Sequence, residues 1–359
     1  MIPPVDASAR SAATAHLDRM AKPRGSLGRL EDLIVWSAGV QGRCPPAPFT
    51  APRVVVVAGD HRVARLVGTS AYPPDVTAQM VTAMVGGVAA VNVLADRVGA
   101  SVRTVDAGVD SDYPGLDVPD SVTCHRIRSG AGAIDREDAL TPSELAAALA
   151  LGHALVAEEV GAGGDLLVIG DMGIGNTTPA AALVAALTDG DPVTTTGRGT
   201  GVDDATWMRK VTVVRDALWR CRDDRGDPHE LLRRMGGPDL AVMTGALLGA
   251  AESGVPVLLD GSVVTAAALV AHAIEPGAAA WWCAAHRSAE PNHAIALAAL
   301  DLDPLIDVGM RLGEASGALV ALPVLQAALA LADGMATFES AGVADRDGPD
   351  GPDTGGQTP

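Results

Sequence analysis

Polar residues stand at the ends of several short apolar segments, where they could act on one ligand together. Five predicted strands end in small or polar residues: Asp60-His61, Asp106 with Gly108, Asp171 with Gly173, Asp260-Gly261, and His286 with Ser288. In open parallel α/β sheets, ligands bind outside the carboxyl ends of the strands. One polar strand end carries little information, but five together predict a single shared pocket.

Glu314 is the strongest candidate for acid–base chemistry. It follows Gly313 and comes just before a long apolar stretch. Partial burial beside that stretch would raise the pKa of the carboxyl group above its ordinary value of about 4.3. The carboxylate would then be a better general base near neutral pH. The alternative is an ordinary helix-start carboxylate that is stabilised by the helix dipole.

The segment Asp165–Pro179 has the order strand, glycine loop, helix. Its apolar part, Leu166–Ile169, is typical of a strand buried on both faces, and three glycines follow within six residues. Exposed N–H groups at such a helix start attract anions, phosphate above all. A second glycine loop, Thr196–Asp204, also precedes a predicted helix. The alternative is an ordinary glycine-rich turn between a strand and a helix.

These loops lack the fingerprints of the common nucleotide cofactors. Gly170, Gly173 and Gly175 do not have the GxGxxG spacing, and the chain has no GxxxxGK[ST]. An NAD-dependent oxidoreductase would need the first pattern. His286 and His293 are separated by six residues without an evident third ligand, so we predict neither a metal nor a cofactor. Ser288 has no GxSxG around it and is predicted to be a hydrogen-bond donor.

The composition excludes several partners. The 359 residues carry a net charge of −18, and Lys22 and Lys210 are the two lysines. Such an acidic chain is a poor candidate for binding nucleic acid or an anionic membrane. The four cysteines are far apart, which is typical of a reducing cytoplasm. We expect a cytoplasmic protein without a signal peptide or a membrane span.

The pattern of elements predicts an α/β protein with a parallel sheet covered by helices on both faces. A helix is expected from about Asp75 to Ala95, and another opens at Thr141 as N-cap. A strand is expected at Ala280–Cys283. The last apolar stretch, from near Glu314 to about Glu339, should be bent or interrupted at Pro323. Residues 345–359 lack periodicity and are predicted to be disordered.

Several segments, in order along the chain, resemble one family, the nicotinate-nucleotide–dimethylbenzimidazole phosphoribosyltransferases. The resembling segments are Lys22-Pro23-x-Gly25-Ser26-Leu27-Gly28-Arg29-Leu30-Glu31, Gly59-Asp60-His61, Tyr72-Pro73-x-x-Val76-Thr77-x-Gln79-Met80, Gly170-x-Met172-Gly173-Ile174-Gly175-Asn176-Thr177-Thr178, Gly197-Arg198-Gly199-Thr200-Gly201, Asp260-Gly261, His286-x-Ser288-x-Glu290-Pro291-x-His293, Arg311-Leu312-Gly313-Glu314 and Met335-Ala336-Thr337-Phe338. Each is weak alone, but their joint occurrence from about residue 20 to 340 is highly specific.

The resemblance implies transfer of phosphoribose from nicotinate mononucleotide to 5,6-dimethylbenzimidazole, giving α-ribazole 5′-phosphate and nicotinate with inversion at the anomeric carbon. It implies a Rossmann-like α/β domain, a small helical domain built from both chain ends, and a homodimer. We therefore expect N-terminal helices of the small domain at 1–45, the catalytic domain at 46–313, completing helices at 314–344 and the tail at 345–359.

Carried over by position, the resemblance implies that Glu314 is the general base. The positions implied around the nucleotide and its phosphate are Gly173, Gly199, Lys210, Gly261 and Ser288. The positions implied around the base are Ser70, Tyr72 and Gln79. Four further residues of these motifs complete the predicted substrate-binding set: Asp171, Gly175, Asn176 and Leu312.

The chain departs from the family pattern at a few positions. Ala315 and Ser316 stand where Gly and Thr are expected after the glutamate, Asp171 where many relatives have Glu, and Arg62 where Gly is more usual. These departures leave the accepted base open, so another azole or a purine is an alternative acceptor. A non-catalytic nucleotide-binding protein is a further alternative, because one carboxylate separates it from an enzyme.

Overall fold

The computed structural model describes residues 1–344, and the predicted tail at 345–359 lies outside them. The described chain divides into two compact units. The larger comprises Met1–Pro4 and Phe49–Pro323, and the smaller comprises Val5–Pro48 with the described residues from Val324 onward. The domain boundaries expected from the sequence, at residues 45 and 314, stay a prediction.

The larger unit is built on a five-stranded parallel sheet, which confirms the predicted α/β class. Its strands are β1 (Pro52–Gly59), β2 (Ser101–Gly108), β3 (Leu166–Met172), β4 (Val257–Leu259) and β5 (Trp282–Ala284). Their order is β2-β1-β3-β4-β5, and every neighbouring pair is parallel. The order reverses between β1 and β3, where an open α/β sheet forms its ligand-binding crevice.

Sixteen helices occur in the described residues. In chain order they are α1 (Ala7–Arg19), α2 (Arg29–Gln41), α3 (Arg62–Val67), α4 (Val76–Val85), α5 (Ala90–Val98), α6 (Asp120–Thr123), α7 (Pro142–Gly161), α8 (Thr177–Thr188), α9 (Pro192–Thr195), α10 (Asp204–Arg220), α11 (Pro228–Met235), α12 (Pro238–Glu252), α13 (Ser262–Ile274), α14 (Pro291–Ala299), α15 (Ser316–Gly334) and α16 (Phe338–Ala341). A 3₁₀ helix at Pro276–Trp281 precedes β5.

Small residues let the helices of the larger unit pack at backbone distance. A methyl group at Gly152 in α7 would lie 2.2 Å from the carbonyl oxygen of Val242 in α12. A methyl group at Gly245 in α12 would lie 2.3 Å from the carbonyl oxygen of Leu149. An interior with few aromatic residues is filled in this way, by close approach of backbones rather than by large side chains.

Several local predictions are confirmed and others are corrected. Thr141 caps α7, because its hydroxyl accepts the N–H of Glu144 while that carboxylate accepts the N–H of Thr141. The single helix expected from Asp75 is instead two, α4 and α5, because the chain turns at Gly87 with φ of +76°. The expected strand at Ala280 begins two residues later, after the 3₁₀ helix. Pro323 lies inside α15 without ending it.

Within residues 1–344, two stretches are long and apolar enough to cross a membrane by length and composition, Val76–Val98 and Ser316–Gly334. The first contains the break between α4 and α5. Buried core helices of soluble proteins can have the same length and composition, so this finding is weak evidence for a membrane span.

In the smaller unit, a buried ion pair holds the turn that leads into α2. The ammonium of Lys22 donates to Oε1 of Glu31 at 2.7 Å, and the N–H of Leu27 donates to the same oxygen at 3.1 Å. Met20 and Thr337 form an antiparallel bridge. Lys22, which precedes this turn, is therefore buried and paired.

Candidate active site

A cavity of about 470 Å³ opens at the carboxyl ends of three strands of the sheet. Residues that follow β3, β4 and β5 line it, together with α4, the second glycine loop and the loop before α15. The lining residues are Tyr72, Val76, Met80, Asp171, Met172, Gly173, Ile174, Asn176, Thr177, Gly199, Thr200, Gly261, Ser262, Val263, His286, Ser288, Glu290, Arg311, Leu312, Gly313 and Glu314. A pocket shared by strand ends, as predicted from the sequence, is therefore present at β3, β4 and β5.

Two of the five strand ends do not line this cavity, which corrects the prediction that all five share it. Asp60, after β1, accepts hydrogen bonds from the hydroxyl of Thr77 at 2.5 Å and from the N–H of Asp110 at 2.9 Å. Asp106, in β2, accepts from the Tyr113 hydroxyl and from Arg126. These carboxylates hold loops beside the sheet, which a sequence pattern of polar strand ends does not reveal.

The first glycine loop turns tightly because its glycines touch the backbone of the β1 end. A methyl group at Gly173 would lie 2.0 Å from the carbonyl oxygen of Gly59. Gly175 has a φ of +96° and does not line the cavity. The side-chain amide of Asn176 donates to Oδ2 of Asp171 at 2.8 Å. The loop therefore places Asn176 and Thr177, at the start of α8, in the cavity wall.

Hydrogen bonds from Lys210 and to Glu290 hold the second glycine loop in place. The Lys210 ammonium, 1% exposed, donates to Oγ1 of Thr177 and to the carbonyl oxygen of Gly197, both at 3.0 Å. Burial lowers the pKa of Lys210 to about 8, and Glu290 opposes this shift. Oε1 of Glu290 accepts the N–H of Gly199 at 2.9 Å. Lys210 supports the loop and does not itself line the cavity.

His293 supports Ser288 and the loop after β5. Its Nδ1 accepts the N–H of Ser288 at 2.8 Å, so its Nε2 carries the proton and donates to Oγ1 of Thr265 at 3.0 Å. Burial lowers the pKa of His293 to about 3, which keeps the ring neutral. Within residues 1–344, no group of three or more His, Cys, Asp or Glu is placed to hold a metal ion.

Glu314 occupies a left-handed turn that starts before α15. Gly313, Glu314 and Ala315 have φ values of +83°, +60° and +61°. A methyl group at Gly170 of β3 would lie 2.4 Å from the N atom of Ala315, so only glycine there lets the turn approach the sheet. Two successive non-glycine residues in this region carry backbone strain, which folds retain mainly at functional sites.

The Glu314 carboxyl group is buried within the cavity wall. It is 3% exposed, and Oε2 has no hydrogen-bond partner among the described residues. Burial raises the pKa of Glu314 to about 7, and the nearby charge of Asp260 adds to the rise. The raised pKa expected from the sequence is thus present. The group lies outside α15, so the helix-start alternative does not explain its environment.

Asp171 is a second buried carboxyl group in the same wall. Burial raises its pKa to about 8, with a further contribution from Asp260, while the Asn176 amide opposes the shift. The raised pKa favours the protonated form of Asp171, which can donate a hydrogen bond. Its main-chain carbonyl accepts the N–H of Glu314 at 3.0 Å, so the two acids are linked through the backbone.

An apolar side of the cavity is formed by Tyr72, Val76, Met80 and Leu312, and Tyr72 and Leu312 are each 56% exposed. Ser70 and Gln79, expected on this side, are not among the lining residues. Ser70 accepts the N–H of Tyr72 at 3.2 Å, which makes it a support for that residue.

Several lining residues were not predicted from the sequence. Thr177 begins α8, Thr200 follows Gly199, and Arg311 donates from its guanidinium to the carbonyl oxygen of Gly199. Glu290 and Ser262 also face the cavity. All of these residues except Ser262 belong to the segments that resemble the family. Their position within those segments could therefore have identified them.

Comparisons with known proteins agree with this architecture. A family model described as phosphoribosyltransferase matches residues 2–343. The chain is 58% identical over 338 residues to the nicotinate-nucleotide–dimethylbenzimidazole phosphoribosyltransferase of Mycobacterium marinum, covering 94% of this chain and 93% of that protein. The enzyme of the same name from Mycobacterium tuberculosis is 57% identical, with 95% and 93% covered.

A solved structure shares the fold over nearly its whole length. The crystal structure of the corresponding phosphoribosyltransferase from Thermus thermophilus superposes with a TM-score of 0.86 at 38% identity, covering 95% of this chain and 99% of that one. The chain therefore belongs to the nicotinate-nucleotide–dimethylbenzimidazole phosphoribosyltransferase family and is an enzyme of that class.

Proposed function

We propose that this enzyme transfers phosphoribose from nicotinate mononucleotide to 5,6-dimethylbenzimidazole, with Glu314 as general base. The observation that carries the proposal is the Glu314 carboxyl group, buried in the cavity wall with a pKa raised to about 7 and Oε2 unpartnered among the described residues. The curated relatives named for this reaction support the choice of substrates.

The proposed reaction releases one proton, and one carboxylate is enough to accept it. A ring nitrogen of the benzimidazole attacks the anomeric carbon, and the bond from that carbon to the nicotinate nitrogen breaks. The electron pair returns to the nicotinate nitrogen, which changes from a pyridinium to a neutral pyridine. Glu314 takes the proton from the other benzimidazole nitrogen. Attack from the face opposite the leaving group inverts a β-nucleotide to an α-product.

The cavity offers a suitable place for each part of the substrates. The hydroxyl groups of Thr177, Thr200 and Ser288 belong to lining residues and can donate hydrogen bonds to a phosphate. The apolar side with Tyr72 and Leu312 fits a flat aromatic base. Holding both reactants beside Glu314 would supply much of the acceleration, because orientation replaces a bimolecular encounter.

The direct test is turnover of the purified protein with nicotinate mononucleotide and dimethylbenzimidazole, followed by chromatography. We expect free nicotinate and α-ribazole 5′-phosphate in equal amounts, and the α configuration by NMR. The β product, or the absence of product, would contradict the proposal. A panel of azoles and purines in the same assay ranks the acceptors, since Asp171 and Ala315 leave that choice open.

The homodimer expected from the family is a separate part of the proposal. Light scattering of the purified chain should give twice the mass of 36.2 kDa. A monomer at micromolar concentration would contradict it without affecting the proposed reaction.

A further inference from the structure

The carboxylate of Asp260 holds the backbone that follows Glu314. Asp260 comes directly after β4 and is fully buried. Its Oδ1 accepts the N–H of Ala318 at 2.8 Å. Burial raises the pKa of Asp260, while His286 and the N–H groups of Ala318, Gly317 and Ala315 oppose the rise by stabilising the charged form. These three N–H groups belong to the strained turn and the first turn of α15, where an acceptor is needed. Asp260 therefore caps the segment that presents Glu314.

The His286 ring also lies against this segment. Its Nε2 is 3.6 Å from Oδ1 of Asp260, and neither ring nitrogen has a hydrogen-bond partner among the described residues. A methyl group at Gly317 would lie 2.1 Å from Cδ2 and 2.2 Å from Nε2 of this ring. The ring thus packs directly on the backbone of Gly317, in the first turn of α15.

Titratable groups lie near Glu314 at the ends of the three neighbouring strands. Asp171 lies at the end of β3, Asp260 after β4 and His286 after β5, while Arg311 belongs to the same loop as Glu314. The charge of Asp260 raises the pKa of Glu314, second to burial. Asp260 consequently has two effects on Glu314, one through the backbone and one through its charge.

We propose that Asp260 and His286 are a positioning pair for Glu314, in which the Asp260 carboxylate fixes the left-handed turn and the His286 ring wedges it in place. The inference rests on the proposed role of Glu314 as general base. Neither residue needs to touch the reacting atoms, because the pair acts on the placement and proton affinity of a third group. The arrangement lets a strained turn keep one conformation in the absence of substrate.

Asp260→Asn tests the electrostatic part. An amide oxygen can still accept the N–H of Ala318, but the negative charge is gone. We expect the acidic limb of the kcat/KM profile to move down by about one pH unit, since a like charge beside Glu314 is removed. A merely structural role would lower the rate and leave the limb in place. Asp239→Asn is the matched control, because Asp239 is also buried and lies 3.0 Å from a histidine, His61.

Gly317→Ala tests the wedge. The added methyl group overlaps the His286 ring and should displace the turn, lowering kcat on the order of 10²-fold with KM for both substrates nearly unchanged. Combining it with His286→Ala makes room for the methyl group. The double variant should therefore recover part of the loss, which shows that the two positions are coupled through this contact.

The outcomes separate the two proposals. If the wild-type protein gives no product, or if its profile lacks an acidic limb, the proposed function fails first. If the wild-type enzyme turns over with that limb but Asp260→Asn leaves the limb unmoved, the positioning pair is overturned alone. Infrared titration of the Glu314 carboxyl band, identified by its loss in Glu314→Gln, reports the same shift without any activity measurement.

Discussion

The main-chain N–H of Glu314 donates a 3.0 Å hydrogen bond to the main-chain carbonyl of Asp171. The two residues are far apart in the chain, and both carry buried carboxyl groups with raised pKa values. The backbone contact ties the loop before α15 to the carboxyl end of β3. This hydrogen bond therefore helps to fix the position of Glu314 relative to Asp171.

Glu314→Gln should lower kcat on the order of 10²–10⁴-fold, because the amide keeps the shape but cannot accept the benzimidazole proton. KM for the mononucleotide should change little, since the proposed phosphate donors belong to other residues. Steady-state kinetics with chromatographic detection of nicotinate provides the measurement. Glu275→Gln, at an exposed position, is the matched control and should behave as the wild type. Equal rates for both variants would refute the general-base role.

The pH dependence follows from the raised pKa of Glu314. A base must be deprotonated, so kcat/KM should rise with pH through about 7 and then level off. Stability should change in the opposite direction. The folded state holds this proton more tightly than the unfolded chain, so the contribution is present below about pH 4.5 and is lost as pH rises through about 7.

The stability part can be measured independently of activity. Urea unfolding of the wild type and of Glu314→Gln at several pH values across this range should show a smaller decline of the unfolding free energy in the variant. Asp171, with a pKa of about 8, keeps part of the decline in both proteins. Parallel curves for the two proteins would show that Glu314 does not titrate in this range.

Gly170→Ala should destabilise the protein and reduce turnover together. Its methyl group would lie 2.4 Å from the N atom of Ala315 and 2.8 Å from Cβ of that residue, which are both buried beside the sheet. We expect a loss of about 1–3 kcal/mol in the unfolding free energy, the usual cost of overpacking. Gly161→Ala is the control, since nothing lies within 4 Å of a methyl group there. Similar unfolding curves for both variants would contradict the close approach.

Lys210→Met should weaken binding of the mononucleotide more than it slows the chemical step. The ammonium supports Gly197 and Thr177 and is the buried positive charge behind the second glycine loop. We expect KM for the nucleotide to rise on the order of tenfold, equivalent to about 1.4 kcal/mol of binding. Arg215→Met, on the exposed face of α10, is the comparison. An unchanged KM would show that the phosphate does not depend on this charge.

The class of fold and the family could be predicted from the amino-acid sequence. Apolar runs such as Leu166–Ile169 predict buried parallel strands, because strands covered on both faces lack polar alternation. The glycine loops and Glu314 were identifiable because the residue type alone restricts what each can do. The resemblance then supplied the family, which the comparisons confirm.

Which of these residues line the same cavity depends on the tertiary structure. The ends of β3, β4 and β5 share the cavity, whereas Asp60 and Asp106 are used by neighbouring loops. Lys210 lies behind its loop rather than in the cavity. Burial, and hence the pKa of Glu314, depends on the close contact between Gly170 and the turn at Ala315. Such long-range packing has no local signature, because it arises from segments that become neighbours only when the sheet forms.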